Sequence, residues 1–231
     1  MKNFITLFLI AGCASFTSAQ FQFDLIGSIP TGDFADDSGR DDDGFATFGF
    51  GGSFAYSFQT GVEGLSIVPS VGFIFNPSDL AEEGEDNARE LFAQNNIQGG
   101  SFSNEGGSYL SVPITIGPSY RTPISDGLDF FATGHLGLGL NFISDTEISG
   151  DAPNIEYAVT VEYNSPVTFV GGIESGIFIN DRWKLGLAFL SFGEPEFEVD
   201  VTESANGTEN QGSFDTESPR AMFLLKVGFT L

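Results

Sequence analysis

The sequence predicts an all-β protein, an eight-stranded antiparallel up-and-down β-barrel that spans a membrane. Eight stretches alternate apolar with small or polar residues for longer than the strands of a soluble sheet, and the last of them runs to Leu231. Their connections alternate between short and long. Side chains of a strand repeat every two residues, so each stretch has one face for lipid and another for a polar lumen. An even strand count suits closure, and both termini then fall at the short-turn end.

Residues 1–19 read as a secretory signal, with Lys2, an apolar run from Phe4 to Gly12 and small residues ending at Ala19, so that residues 20–231 form the barrel domain. A competing reading takes Ile10-Ala11-Gly12-Cys13 as a lipobox with lipid on Cys13. Cys13 is the only cysteine, so cleavage after Ala19 leaves no disulfide, thiol nucleophile or cysteine metal site. Later stretches never reach the roughly 18 uninterrupted apolar residues of a transmembrane helix, so a membrane role requires strands.

The strands are expected at 20–31, 44–59, 65–77, 108–122, 128–143, 166–179, 183–199 and 218–231. Segments 60–64, 123–127 and 180–182 carry the Gly, Asn, Asp and Pro of hairpin turns. Segments 32–43, 78–107, 144–165 and 200–217 are polar and are expected to be extended loops. The last strand sets Ala221, Phe223, Leu225, Val227, Phe229 and Leu231 against Arg220, Met222, Leu224, Lys226, Gly228 and Thr230. In the second, Ala46, Phe48, Phe50, Phe54, Tyr56 and Phe58 face lipid. The fifth turns Leu128, Phe130, Leu136, Leu138, Leu140 and Phe142 outward, while Phe131 breaks the pattern by pointing inward. Pro69, Pro113 and Pro118 deny a closed wall their ladder hydrogen bonds, so bulges or local breaks in pairing are expected there. Tyr120, Phe130, Trp183 and Phe229 are expected at the short-turn end as an aromatic girdle.

Eight Lys and Arg against 32 Asp and Glu leave a formal charge of −24, which makes nucleic acid an implausible partner. Most of the acidic residues fall in the long connections and adjoining strand tips. Such a surface attracts cations or basic partners, or keeps the chain soluble. The run from Asp36 to Gly44 invites a calcium reading, yet Gly39 and Phe48 stand where an EF-hand pattern counted from Asp37 needs ligands, so a solvated loop with weak divalent-ion binding is the expectation.

Several ionisable residues fall on inward faces. Arg121 and Asp129 are equidistant from Ser125 and are expected opposite one another. Asp24 and Lys226 are expected to meet where the barrel closes, and Glu174 and Lys184 point inward on neighbouring strands. An interior of eight strands is filled by its own side chains, so this cluster, with His135, is expected to plug the lumen, a narrow ion path being the alternative. His135 with Ser111, Thr133, Asp129 or Glu174 suggests a hydrolase triad, but no motif pairs a nucleophile with a base. Neither a catalytic residue nor a metal site nor a cofactor is expected.

Three segments carry a family resemblance: Ile29-Pro30-Thr31-Gly32-Asp33-Phe34, Tyr109-Leu110-Ser111-Val112-Pro113 and Lys226-Val227-Gly228-Phe229-Thr230-Leu231. With them the chain resembles the small bacterial outer-membrane β-barrels of the OmpA membrane-domain and OmpX type, and most resembles the PorT-like barrels of Bacteroidota. The resemblance implies an integral outer-membrane protein, partnered by membrane lipid and by the barrel-assembly machinery, which would read the C-terminal strand although Leu231 replaces the commoner final Phe. Outer-membrane lipid A deacylases are also eight-stranded, but Gly137 stands where their motif places a Ser two residues after the His. The expected function is a non-enzymatic structural or surface-interaction barrel, with an extracellular or cation partner at its acidic loops. A channel or secretion accessory is the alternative, and a lipid A-modifying enzyme or lipid-binding barrel the remoter ones. Segment 78–107, with a helical turn expected over 88–92, is the first place to look for a partner.

Overall fold

The computed structural model describes residues 20–35, 44–79, 84–86, 88–90, 93, 101–152, 155–205 and 208–231. The signal reading of 1–19, Cys13, Phe92 and the aspartate run over 36–43 lie outside the described residues. In chain order the strands are β1 (Gln20–Thr31), β2 (Gly49–Gln59), β3 (Leu65–Asn76), β4 (Ser101–Glu105), β5 (Tyr109–Ser125), β6 (Leu128–Ile143), β7 (Thr146–Ala152), β8 (Ile155–Tyr163), β9 (Val167–Ile179), β10 (Trp183–Ser191), β11 (Glu196–Ala205), β12 (Thr208–Glu217) and β13 (Ala221–Thr230).

Eight of them close a barrel of neighbour order β1-β13-β10-β9-β6-β5-β3-β2, antiparallel throughout. Its closure is the pairing of Phe23 with Phe229 and of Ile26 with Lys226. Large apolar side chains cover the outside; Phe54, Leu136, Phe169 and Ile173 are all well exposed, Phe169 at 80%. The interior is filled by Ser, Thr, Gly, Asn and a few charges together with apolar side chains such as Ile74, Phe131 and Leu224, because eight strands enclose no more than their own side chains fill. Gly117 is one close approach: a Cβ there would lie 1.8 Å from the Gly134 carbonyl oxygen.

The three prolines interrupt the ladder without shifting it. Pairing skips two residues beside each: Tyr56 and Ser57 opposite Pro69, Gly72 and Phe73 beside Pro113, and Gly134 and His135 beside Pro118. Register on either side is unchanged, so these are breaks rather than bulges. The bulge in this ladder lies between Pro123 and Ser125, which lengthens β5 past the expected 122 and leaves Asp126 and Gly127 as the turn, Gly127 at φ +71°. A turn placed past Ser125 corrects the expected hairpin geometry: Arg121 pairs with Phe131, and Asp129 with Pro123. Strand two starts at Gly49 rather than 44. Ahead of it Phe45 adopts φ +51°, and Ala46 is buried in the core while Phe48 is 62% exposed, so the two do not share the lipid face.

The largest correction concerns the long connections. Segments 78–107, 144–165 and 200–217 are not simply extended loops, and strand seven does not run unbroken to 199. β4, β7, β8, β11 and β12 form a second, five-stranded sheet ordered β12-β11-β8-β7-β4. Each adjoins a barrel strand, and the two orders match: the wall formed by β13, β10, β9, β6 and β5 continues upward as this rim sheet. Hydrogen bonds bridge the junctions, among them Ser144 N to Ser108 O at 2.9 Å, Asn164 N to Glu198 O at 3.1 Å and Phe192 N to Arg220 O at 2.8 Å. Register carries through the β6–β9 and β7–β8 pairs, whereas one extra residue enters on the β10–β11 side, where Gly193 adopts φ +67°.

Side-chain phase changes at the junctions. In β10 and just beyond it the even-numbered Leu190 and Phe192 face the core; in β11 it is the odd-numbered Phe197 and Val199. The same switch separates Asn141 and Ile143 from Thr146 and Ile148. Pro166, Pro195, Pro219, Gly106, Gly107 and Gly193 sit at these junctions, which is why the sequence there reads as turn and loop. The apolar face of the rim sheet closes over the barrel mouth, where Phe34, Tyr109, Phe192, Phe197 and Val199 form one core with Met222 and Leu224.

Candidate functional site

The inward charges stand in three storeys. The lowest is the short-turn mouth, where Arg121 Nε donates to Asp129 Oδ2 at 2.8 Å and Arg121 also pairs with Asp181. The ion pair with Asp129 forms diagonally across the hairpin, since register sets them two residues apart. The guanidinium lies 4.3 Å from the Phe178 ring centroid, and an open cavity of about 230 Å³ surrounds this storey.

Midway up, four charges from four strands converge. Lys226 Nζ lies 2.8 Å from Glu174 and 3.2 Å from Asp24; Lys184 Nζ lies 3.1 Å from Asp24 and 2.5 Å from Glu174 Oε1, the last an ion pair without hydrogen-bond alignment. Ser53 donates to Asp24 at 3.2 Å. All four residues are buried, so two carboxylates balance two ammonium groups in a small polar core. Glu174 and Lys184 meet on the adjacent strands β9 and β10 although Glu174 is paired in register with Ala188.

His135 joins this storey through Nε2, 3.2 Å from Glu174 Oε2, while its Nδ1 is 3.2 Å from Thr115 Oγ1. The order hydroxyl, imidazole, carboxylate is that of a relay, but with Thr115 in place of the serine considered from sequence. Ser111 instead faces Asn141 and Arg220, Thr133 donates to Ser119 at 2.8 Å, and Asp129 is engaged by Arg121. The two cavities beside His135 are about 20 Å³ each, which admits a water and no acyl chain.

The top storey holds Arg220, 1% exposed, with ring centroids of Tyr109, Phe197 and Phe34 at 4.6, 4.8 and 5.5 Å from its guanidinium carbon. Its Nη1 reaches Asn141 Oδ1 at 3.4 Å and Ser111 Oγ at 3.5 Å. No carboxylate pairs with it among the described residues, and its Nε and Nη2 find no acceptor there. The charge is held by aromatic faces instead. Arg220, Thr115 and Asp181 are the residues sequence reasoning left off the site. Alternation had already put Arg220 inward; nothing in the sequence indicated the rings around it, which come from three separate segments.

The aromatic residues expected as a girdle occupy the short-turn rows. Trp183 pairs with Phe229, rings 5.3 Å apart edge to face, Phe130 pairs with Ile177, and Tyr120 with Leu65. Tyr120 and Trp183 are about half exposed.

Around this lumen the rim sheet presents an acidic outer face. Directly opposed residues include Glu105 and Glu147, Glu162 and Asp200, Glu198 and Asp215, and Glu196 and Glu217. Of its five strands, none carries Lys or Arg. Helical residues 84–86, 88–90 and 93 lie at the β4 end, where Arg89 stands 5.0 Å from the Phe102 ring and Asn104 donates to Glu85 at 2.6 Å. No group of three or more metal-ligating side chains occurs among the described residues.

Fold and lumen together define a closed, eight-stranded antiparallel barrel with a filled interior and an extended rim. No protein-family profile matches the chain, and no characterised protein matches it in sequence. Among solved structures it is similar to a major outer membrane protein from Thermus thermophilus, at 12% identity over 93% of this chain and 100% of that one, TM-score 0.48. Neisserial surface protein A (NspA) aligns at 10% identity over 92% and 96% of the two chains, TM-score 0.44, and OprG of Pseudomonas aeruginosa at 9% over 94% and 98%, TM-score 0.43. At these identities the likeness is one of fold alone; the strand pairing establishes the barrel independently.

Proposed function

We propose that the chain is a non-enzymatic integral outer-membrane protein whose barrel is an anchor and whose rim sheet, displayed outside the cell, is the working surface. The carrying observation is the contrast between a wall covered in large apolar side chains and a lumen filled by ion pairs. A closed wall leaves no strand edge in lipid, and the filled interior leaves only water-sized gaps midway. Export by a signal over 1–19 and recognition of β13 by assembly machinery belong to the same reading. The PorT-like resemblance belongs to the same reading and rests on its sequence motifs, two of which meet where Phe34 and Tyr109 pack edge to face at 5.0 Å.

The test is gel mobility of the detergent-extracted outer-membrane fraction with and without boiling, combined with protease treatment of intact cells. A heat-dependent shift and cleavage within the rim sheet are expected. An unshifted protein in the soluble fraction overturns the proposal. Conductance in planar bilayers that changes on Glu174→Gln or Arg121→Gln would favour the channel reading over the plugged one.

A further inference from the structure

The rim sheet has two edges, and they differ. At one, β4 is only 5 residues long and has the helical segment packed beside it through Glu85 and Arg89. At the other, β12 runs for 10 residues, and every one except Thr216 is exposed. The reason lies in the barrel: β13 continues downward from β12 and pairs with β1, but β1 ends at Thr31 opposite Ala221. Above that level no strand flanks β12 among the described residues. β12 has neither proline nor lysine, and its register with β11 is unbroken over ten pairs, so its carboxylates are what guards this edge.

We propose that the free edge of β12 is a docking site for an extended, basic strand of a partner protein, which adds to the rim sheet by backbone pairing. This rests on the rim sheet being the external working surface. Backbone pairing alone would accept any strand, so charge and pattern select the occupant. On the outer face β12 offers Glu209, Asp215 and Glu217; on the other, Phe214 stands 55% exposed beside Gly212. An added strand with Lys or Arg alternating with apolar residues places cations beside the carboxylates and an apolar side chain beside Phe214. A second copy of this chain brings another acidic edge, and the like charges repel.

The probe is a synthetic peptide alternating Val and Lys, matched to the 10 residues of β12, titrated into the full chain in detergent. Amide hydrogen exchange should slow over Thr208–Glu217, with a Val and Glu peptide giving no protection. Asp215→Lys with Glu217→Lys should weaken binding by about tenfold or more while the heat-dependent gel shift is retained. Gly212→Pro and Ser213→Pro, one of which removes an outward-pointing N–H, provide a charge-neutral check. Equal binding of both peptides, protection elsewhere, or a concentration-dependent dimer through this edge overturns the proposal. If protease reaches the rim sheet on intact cells and β12 is never protected, this inference fails alone; if protease cannot reach it, the reading beneath fails.

Discussion

The barrel wall and the rim sheet run along the same lines of strands, yet they turn opposite chemistries outward. In β10, Leu185 and Leu187 point away from the molecule and Lys184 toward its axis; in β11, Glu196, Glu198 and Asp200 point away while Phe197 and Val199 are buried. Both obey the two-residue period. What differs is the surrounding medium that each pattern fits, apolar around the wall and aqueous around the rim, and a phase change at the junction converts one into the other. Alternation therefore marks the strands of the wall but does not say which face is core.

The comparison breaks most visibly at the middle storey. Glu174→Ala leaves Lys184 and Lys226 sharing Asp24 alone in a buried site, a loss of about 3–5 kcal/mol, and urea unfolding followed by gel mobility should show the whole barrel weakened. Phe197→Ala removes a fully buried ring from the roof, costing about 3–5 kcal/mol. Its effect should stay in the rim sheet, with faster limited proteolysis there and an unchanged heat-resistant band; loss of that band would mean wall and rim are one cooperative unit.

Smaller changes sharpen the contrast. A Cβ at Gly228 would lie 2.1 Å from Asp24 Oδ1, so Gly228→Val must displace the carboxylate from its lysines. A cost of about 1–3 kcal/mol is expected, readable as a lower urea midpoint. Least of all, Glu198→Gln removes one of two directly opposed carboxylates and should stabilise the rim by about 0.2–1 kcal/mol. That gain should shrink in high salt, measured by proteolysis rate at two ionic strengths.

How far the site was legible follows from the same physics. Asp24, Glu174, Lys184 and Lys226 stood out because a charge on an alternating stretch needs company inside a narrow barrel. Arg121 and Asp129 were assigned to one hairpin, although a turn at Asp126 and Gly127, past the expected centre at Ser125, made their contact diagonal. His135 was placed inward, but its hydroxyl partner turned out to be Thr115, since which of several Ser and Thr residues comes within reach depends on stagger between strands. Segments 144–165 and 200–217 read as loops because their acidic residues and junction glycines and prolines mask the alternation of Ile148, Val159, Val161, Val201 and Phe214.

By itself the sequence determined the strand count of the wall, the places of its short turns, the inward position of the lumen charges and the acidity of one end. Those are local properties, set by a two-residue period and by turn chemistry. Tertiary structure decided the rim sheet, the aromatic box around Arg220 and the place of β12 at the sheet's edge among the described residues. Each depends on where strands stop relative to their neighbours: β1 ends at Thr31 while the line of β13 continues upward as β12, and no window of sequence contains that difference.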